Sequence, residues 1–234
     1  MANTENLGSK KNEQLQENEN FLTRFFAFFS KYQNIIYGVI IGILVIILAI
    51  LAFNRFYLQK KNAEASAQIV QPIHWFVQGD TASLKMALEG DGENDGFLDI
   101  ASGYKITRTA NTANYYAGLT YLKLGQKDEA LEYLKKFKKK EDVLWYGCQI
   151  VIGDLYDDQG DESKAIQYYE KATKGNDPLY TPNALFKLGQ MYERQEKWDK
   201  ALDAYKTIES KFYNQYMTMN IAQYVERASA KASK

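Results

Sequence analysis

The chain has 234 residues, with 29 Lys and Arg set against 29 Asp and Glu, one histidine and one cysteine. Zero net charge argues against a general nucleic-acid binder, and a single cysteine excludes an intramolecular disulfide. Three prolines and abundant Ala, Leu, Lys, Glu and Tyr point to an all-α protein.

Residues 1–20 are polar and rich in Asn, Gln, Glu and Lys, too poor in apolar surface to fold, and are expected to form a disordered tail. Over 21–31 the residues Phe21, Leu22, Phe25, Phe26, Phe28 and Phe29 recur at near-helical spacing. They read either as an interfacial amphipathic segment or as an extension of the element that follows. No charge occurs between Lys31 and Arg55, and Ile35 to Phe53 is almost purely aliphatic. As a helix this stretch covers about 28 Å, the thickness of a bilayer's hydrocarbon core. A transmembrane helix is therefore expected over 32–56, with Tyr32, Tyr37, Phe53, Phe56 and Tyr57 at its ends. The apolar stretch is long for a secretory signal. The first Ala-x-Ala pattern, at Ala63, Ala65 and Ala67, comes only after Lys60 and Lys61. The expectation is a retained single-pass anchor.

Basic residues nearly balance across the span: Lys10, Lys11, Arg24 and Lys31 before it, Arg55, Lys60 and Lys61 after it. Charge therefore leaves the orientation open. Gly38 and Gly42 form a Gly-x-x-x-Gly that would let a second membrane helix approach, whether a partner's or that of a homodimer. Residues 57–108 are the least regular part. They are expected to hold a linker helix running to about Val77 with a kink at Pro72, then short helices near 81–89 and 97–104 as a degenerate first helical unit.

Three segments then align: "YYAGLTYLKLGQKDEALEYLKKF", "CQIVIGDLYDDQGDESKAIQYYEKA" and "LFKLGQMYERQEKWDKALDAYKTI". Each has Gly-x-x-Tyr, eight residues, then Ala: Gly118, Tyr121, Ala130; Gly153, Tyr156, Ala165; Gly189, Tyr192, Ala201. This pattern resembles the tetratricopeptide repeat, a pair of antiparallel helices stacked into an α-solenoid. Small residues on both helices would let the backbones approach, with the tyrosine reaching toward the neighbouring repeat. Gly125 and Gly160 suit left-handed turns. Asp128 and Asp161 are expected to cap second helices, and Thr181 with Pro182 to open the third repeat. Glu196 replaces the turn glycine there, which predicts a looser turn. The repeats should cover 109–213, followed over 214–234 by one capping helix and a tail, with Tyr216, Met219, Ile221, Tyr224 and Val225 facing the stack.

In the frame of such repeats the face-lining positions are Tyr115, Leu119 and Leu122, then Ile150, Asp154, Asp157 and Asp158, then Phe186, Gln190, Glu193 and Arg194. The Lys, Arg and Asn that this family uses to clamp a C-terminal carboxylate are absent. The candidate groove reads as apolar with an acidic edge, suited to a peptide with apolar anchors and some basic residues; each residue could equally be inter-helix core or solvated surface.

Catalytic chemistry is not legible. Asp91, Glu93 and Asp95 loosely resemble a calcium loop, but its twelfth position is Ser102, and a polar inter-helix loop is the expected reading. His74 and Cys148 are too few for a zinc site or a thiol–imidazole pair. No phosphate loop, nucleotide fingerprint or nucleophile elbow occurs. The expectation is a non-enzyme with no metal and no cofactor.

The order of tail, anchor and compact repeats resembles the YfgM-like ancillary subunits of the bacterial Sec translocon. "ENEN" upstream, "RFF" before the span and the Gly-x-x-x-Gly inside it carry that resemblance. It implies an inner-membrane protein with a cytoplasmic N-terminus and a periplasmic C-terminal domain. It also implies partners among the translocon, a membrane-anchored periplasmic chaperone and unfolded envelope clients. Two alternatives stand beside it: a scaffold of another envelope complex, for division or outer-membrane assembly, and a cytosol-facing receptor for targeting peptides.

Overall fold

A computed structural model describes residues 23, 28, 30–138 and 143–233. The expected tail at 1–20 lies outside the described residues, as does most of the expected interfacial segment at 21–31. Among the described residues every regular element is a helix.

The first, α1, runs over Ser30–Gln78 and is long and apolar enough to cross a membrane. The chain divides into two compact units, residues 1–59 and 60–234. In the first, no described side chain is buried. One feature there escaped sequence reading. Phe53–Leu58 is a π-helical turn, in which the Gln59 N–H reaches the Asn54 carbonyl. The extra residue per turn shifts the helix face where the uncharged stretch ends at Arg55.

The second unit starts with the last turns of α1. The ladder is interrupted at Ile69 because Pro72 has no N–H for the Gln68 carbonyl, and it resumes at Val70. Trp75 and Pro72 are buried while His74 is exposed. Gly79 ends α1 in the left-handed region, at φ 78°. Asp80 then caps α2 (Thr81–Glu89), accepting from the N–H groups of Ala82 and Ser83, both at 3.0 Å. In the loop that follows, Asp91 accepts from the N–H groups of Glu93 and Asn94 (2.9 and 2.7 Å). These bonds hold its carboxyl below the usual carboxylate range. The aspartate at the head of the expected loop is thus used in folding the turn that leads to α3 (Phe97–Gly103).

The repeats follow as helix pairs: α4 (Arg108–Lys123) with α5 (Lys127–Lys136), α6 (Val143–Asp158) with α7 (Glu162–Thr173), and α8 (Thr181–Arg194) with α9 (Trp198–Lys211). The start of α4 is capped twice. Thr107 Oγ1 accepts from Ala110 N–H at 3.0 Å, and Asn62 on α1 accepts from Arg108 and Thr109 N–H at 3.0 and 3.3 Å. Asn62 thereby ties the end of α1 to the first repeat, and Ile69, Trp75, Phe97, Ile100 and Ala113 form a shared core beneath it.

Local punctuation departs from expectation in four places. Asp161 does cap α7, accepting from Lys164 N–H at 3.0 Å. Asp128 does not cap α5: Gln126 holds that position and Asp128 lies in the first turn, where its charge still suits the helix dipole. Thr181 is the first residue of α8 rather than its cap, and its hydroxyl accepts from Asp177 N–H at 2.9 Å. The turn at Glu196 is not looser. Glu196 adopts φ 56°, beside 79° and 77° at Gly125 and Gly160, and the same two backbone bonds close all three turns. Helix packing on both sides fixes the turn, and a non-glycine residue bears the left-handed strain. Finally, the closing segment is two helices, α10 (Tyr213–Thr218) and α11 (Ala222–Ala232), parted by Asn220 at φ 52°. Ile221 and Ala228 complete the core against Tyr205 and Ile208.

Candidate protein-binding face

The nine signature positions lie where the paired helices meet. A Cβ placed on Gly118 would sit 2.6 Å from Leu134, on Gly153 2.5 Å from Tyr169, and on Gly189 2.2 Å from Tyr205. The side chain that occupies each glycine's space is thus the residue one turn after the signature alanine, and Ala130, Ala165 and Ala201 are fully buried. That spacing was present in the sequence and could have identified these partners. Tyr121 packs against Tyr133 and Tyr156 against Tyr168 within their own repeats. Tyr156 and Tyr192 also reach the preceding repeat, through Lys135 (2.5 Å) and Glu170 (3.2 Å).

Of the eleven candidate groove residues, Tyr115 and Ile150 are buried in the central core, not exposed on a face. Leu119 and Leu122 pack against the same core, and Phe186 packs edge-on to Tyr224 of α11 at 4.8 Å. Gln190 is exposed. The acidic edge is not free. Asp158 pairs with Lys127 (2.8 Å), Asp154 with Lys187 (2.8 Å), Asp157 with Arg194 (2.5 Å) and Glu193 with Arg227 (2.6 Å). Each pair joins one repeat to the next, or the last repeat to α11. Lys127, Lys187 and Arg227 were missed in the sequence because each lies 31 to 34 residues from its partner. The carboxylates thus serve stacking, which leaves little negative charge on this face to recognise a basic peptide.

Asp154 does further work. The Tyr169 hydroxyl donates to it at 2.7 Å, and burial together with that carboxylate pushes the phenol's pKa far up. Cys148 is fully buried; burial pushes its thiol up to about 12, and the thiol donates to the Leu134 carbonyl at 3.5 Å. It is a packing residue rather than a nucleophile. Among the described residues no three His, Cys, Asp or Glu side chains gather into a group able to hold a metal ion. In the apolar stretch of α1 a Cβ on Gly38 or Gly42 would meet nothing within 4 Å.

Comparison with known proteins bears on the repeats alone. Residues 112–141 and 150–214 each match a tetratricopeptide-repeat family model. No curated protein matches the chain. Solved structures match distantly. The nearly identical TPR-like repeats of a Podosopora anserina kinesin light chain are 12% identical, covering 72% of this chain and 96% of that one at a TM-score of 0.49. MamA is 21% identical, covering 70% and 93% at 0.40. BtubC from P. vanneervenii is 14% identical, covering 76% and 89% at 0.41. Likeness at this level says nothing about partners. The two matched segments and the helix pairs built on them are tetratricopeptide repeats, which stack here into a helical solenoid of the kind that serves as a protein–protein interaction module.

Proposed function

We propose that the chain is a membrane-tethered interaction module without catalytic activity, held as a single-pass anchor by α1, with residues 109–213 contacting partner proteins. The observation that carries this reading is the joining of an unburied, uncharged helical stretch to a stack of tetratricopeptide repeats on one chain. A helix with so many bare aliphatic side chains is stable only in lipid or against other membrane helices. The finer reading rests on the resemblance of the anchor region. By it the chain sits in a bacterial inner membrane with the repeats in the periplasm. There it associates with the Sec translocon and passes emerging envelope proteins to a membrane-anchored chaperone.

Affinity isolation of the tagged full-length protein from membranes in mild detergent tests this, with Gly42→Leu beside it. The substitution has open space around it within the chain, so a loss of partners would report on helix contact rather than on folding. Recovery of translocon subunits or a chaperone from wild type, and their loss from the variant, is the expected result. Recovery of a different envelope complex would replace the translocon reading with that of a scaffold. A C-terminal tag protected from protease added outside the inner membrane would place the repeats in the cytosol and leave the targeting-peptide receptor.

A further inference from the structure

The acidic face is neutralised within the chain, but a second surface is not. Between α5, α6 and α7 lies an open cavity of about 810 Å³, within the size range of ligand clefts. Phe137 and Ile152 form its buried floor, and Trp145 and Tyr168 are half-buried in its walls. Lys135, Lys138, Lys171 and Lys174 surround it, and no carboxylate lines it among the described residues. None of these four lysines enters an ion pair among the described residues. Lys135 is held by the Tyr156 hydroxyl, and Lys171 stands 3.9 Å over the Tyr168 ring. Both contacts position a positive charge without cancelling it. None of the eleven candidate groove residues lines this cavity.

We propose that this cavity docks an acidic segment of a partner protein that carries a large apolar or aromatic side chain. The anchor side chain enters between Phe137, Trp145 and Tyr168, and flanking carboxylates meet the lysines. Charge complementarity sets the sign of the partner, opposite to the basic peptide that the sequence suggested. A peptide is favoured over nucleic acid because the lysines flank one open, largely apolar cleft rather than tracking a backbone, and the chain's net charge is zero. The proposal rests on the reading of the chain as an interaction module.

The test is fluorescence anisotropy on the full-length chain in nonionic detergent. The probe is a labelled peptide of about twelve residues, Asp and Glu around a central Trp-Leu. Saturable binding in about the micromolar range is expected, weakening as salt rises from about 0.05 to 0.5 M. Lys138→Glu with Lys174→Glu should weaken it by about tenfold or more, Trp145→Ala likewise, and Lys206→Glu not at all. Lys138 and Lys174 are exposed, so the double variant should unfold at the wild-type temperature. Absence of saturation, or equal binding by the charge-reversed variant or by a Lys-rich version of the peptide, overturns the proposal. Tighter binding of a single-stranded DNA oligonucleotide overturns it in favour of nucleic acid. If affinity isolation recovers the same partners from wild type and double variant, this site falls while the interaction-module reading stands.

Discussion

Repeats two and three seat a tyrosine on a glycine in the same way and finish it differently. Tyr169 and Tyr205 are both almost wholly buried, each against the glycine of its partner helix. The residue after that glycine is Asp154 in one and Gln190 in the other. Asp154 accepts the Tyr169 hydroxyl and binds Lys187 of the next repeat. Gln190 is exposed, and the Tyr205 hydroxyl makes no well-formed hydrogen bond among the described residues, the nearby Glu193 carboxylate being bound by Arg227 instead. The turns differ in the same sense: glycine takes the left-handed position in repeat two and Glu196 takes it in repeat three. The shape of the repeat is therefore set by ring against backbone. Polar closure and relaxed turns are local additions that repeat three lacks.

The sharpest way to break this comparison is to fill the glycines. Gly153→Ala and Gly189→Ala would press a methyl group into the rings of Tyr169 and Tyr205 and cost about 1–3 kcal/mol each. Thermal unfolding in mild detergent, followed by tryptophan fluorescence, measures it. Unchanged unfolding in both variants would show that ring-on-glycine contact does not set the packing.

Removing the two hydroxyls separates the repeats. Tyr169→Phe should cost about 1 kcal/mol and Tyr205→Phe clearly less, because only the first hydroxyl makes a well-formed hydrogen bond. Equal losses in the same unfolding experiment would mean that Tyr205 also has a polar partner. Relaxing the turn is a smaller effect. Glu196→Gly should raise stability by about 0.5–1 kcal/mol, as relief of left-handed strain exceeds the added chain entropy of glycine. Glu196→Pro is not equivalent, since proline cannot adopt a positive φ.

The Arg194–Asp157 ion pair, one of those between the two repeats, is weaker still. Arg194 is about half exposed and Asp157 about a third. A double-mutant cycle with Arg194→Ala and Asp157→Ala should give less than about 1 kcal/mol and shrink at high salt. The last difference is acid sensitivity. The Lys164 side chain and N–H hold Asp161 below the usual carboxylate range, whereas Lys197, its counterpart in repeat three, offers no such cap. A lowered folded-state pKa contributes stability above the ordinary carboxylate value and loses it as pH falls through the lowered one. The unfolding temperature of Asp161→Asn should therefore fall less steeply than that of wild type between about pH 5 and pH 2. Parallel curves would remove the cap from the account.

Much of the fold was legible. The uncharged stretch after Lys31, the recurring Gly-x-x-Tyr and alanine, and the turn glycines Gly125 and Gly160 each act through local chemistry that one sequence displays. Where the local rule met competition, reading failed. Glu196 took a glycine's conformation because helices on either side dictated the turn. Thr181 lost the cap position to Tyr180. The closing segment broke at Asn220, where one uninterrupted helix was expected. Tyr115 and Ile150 were ambiguous for a further reason: they sit at face positions in the repeat frame, and only the packing of neighbouring elements puts them in the core.

The sequence by itself determined the class of protein: an apolar helix long enough for a bilayer, and helix pairs whose small residues demand close approach. Those properties depend on the spacing of residue types along the chain. The tertiary structure alone decided which charges are available. Asp154, Asp157, Asp158 and Glu193 are bound by cations from adjacent elements, while the four lysines around the aromatic cavity have no carboxylate partner among the described residues. A charge is free or neutralised according to what lies within about 4 Å in space, and those neighbours come from elements some thirty residues away along the chain.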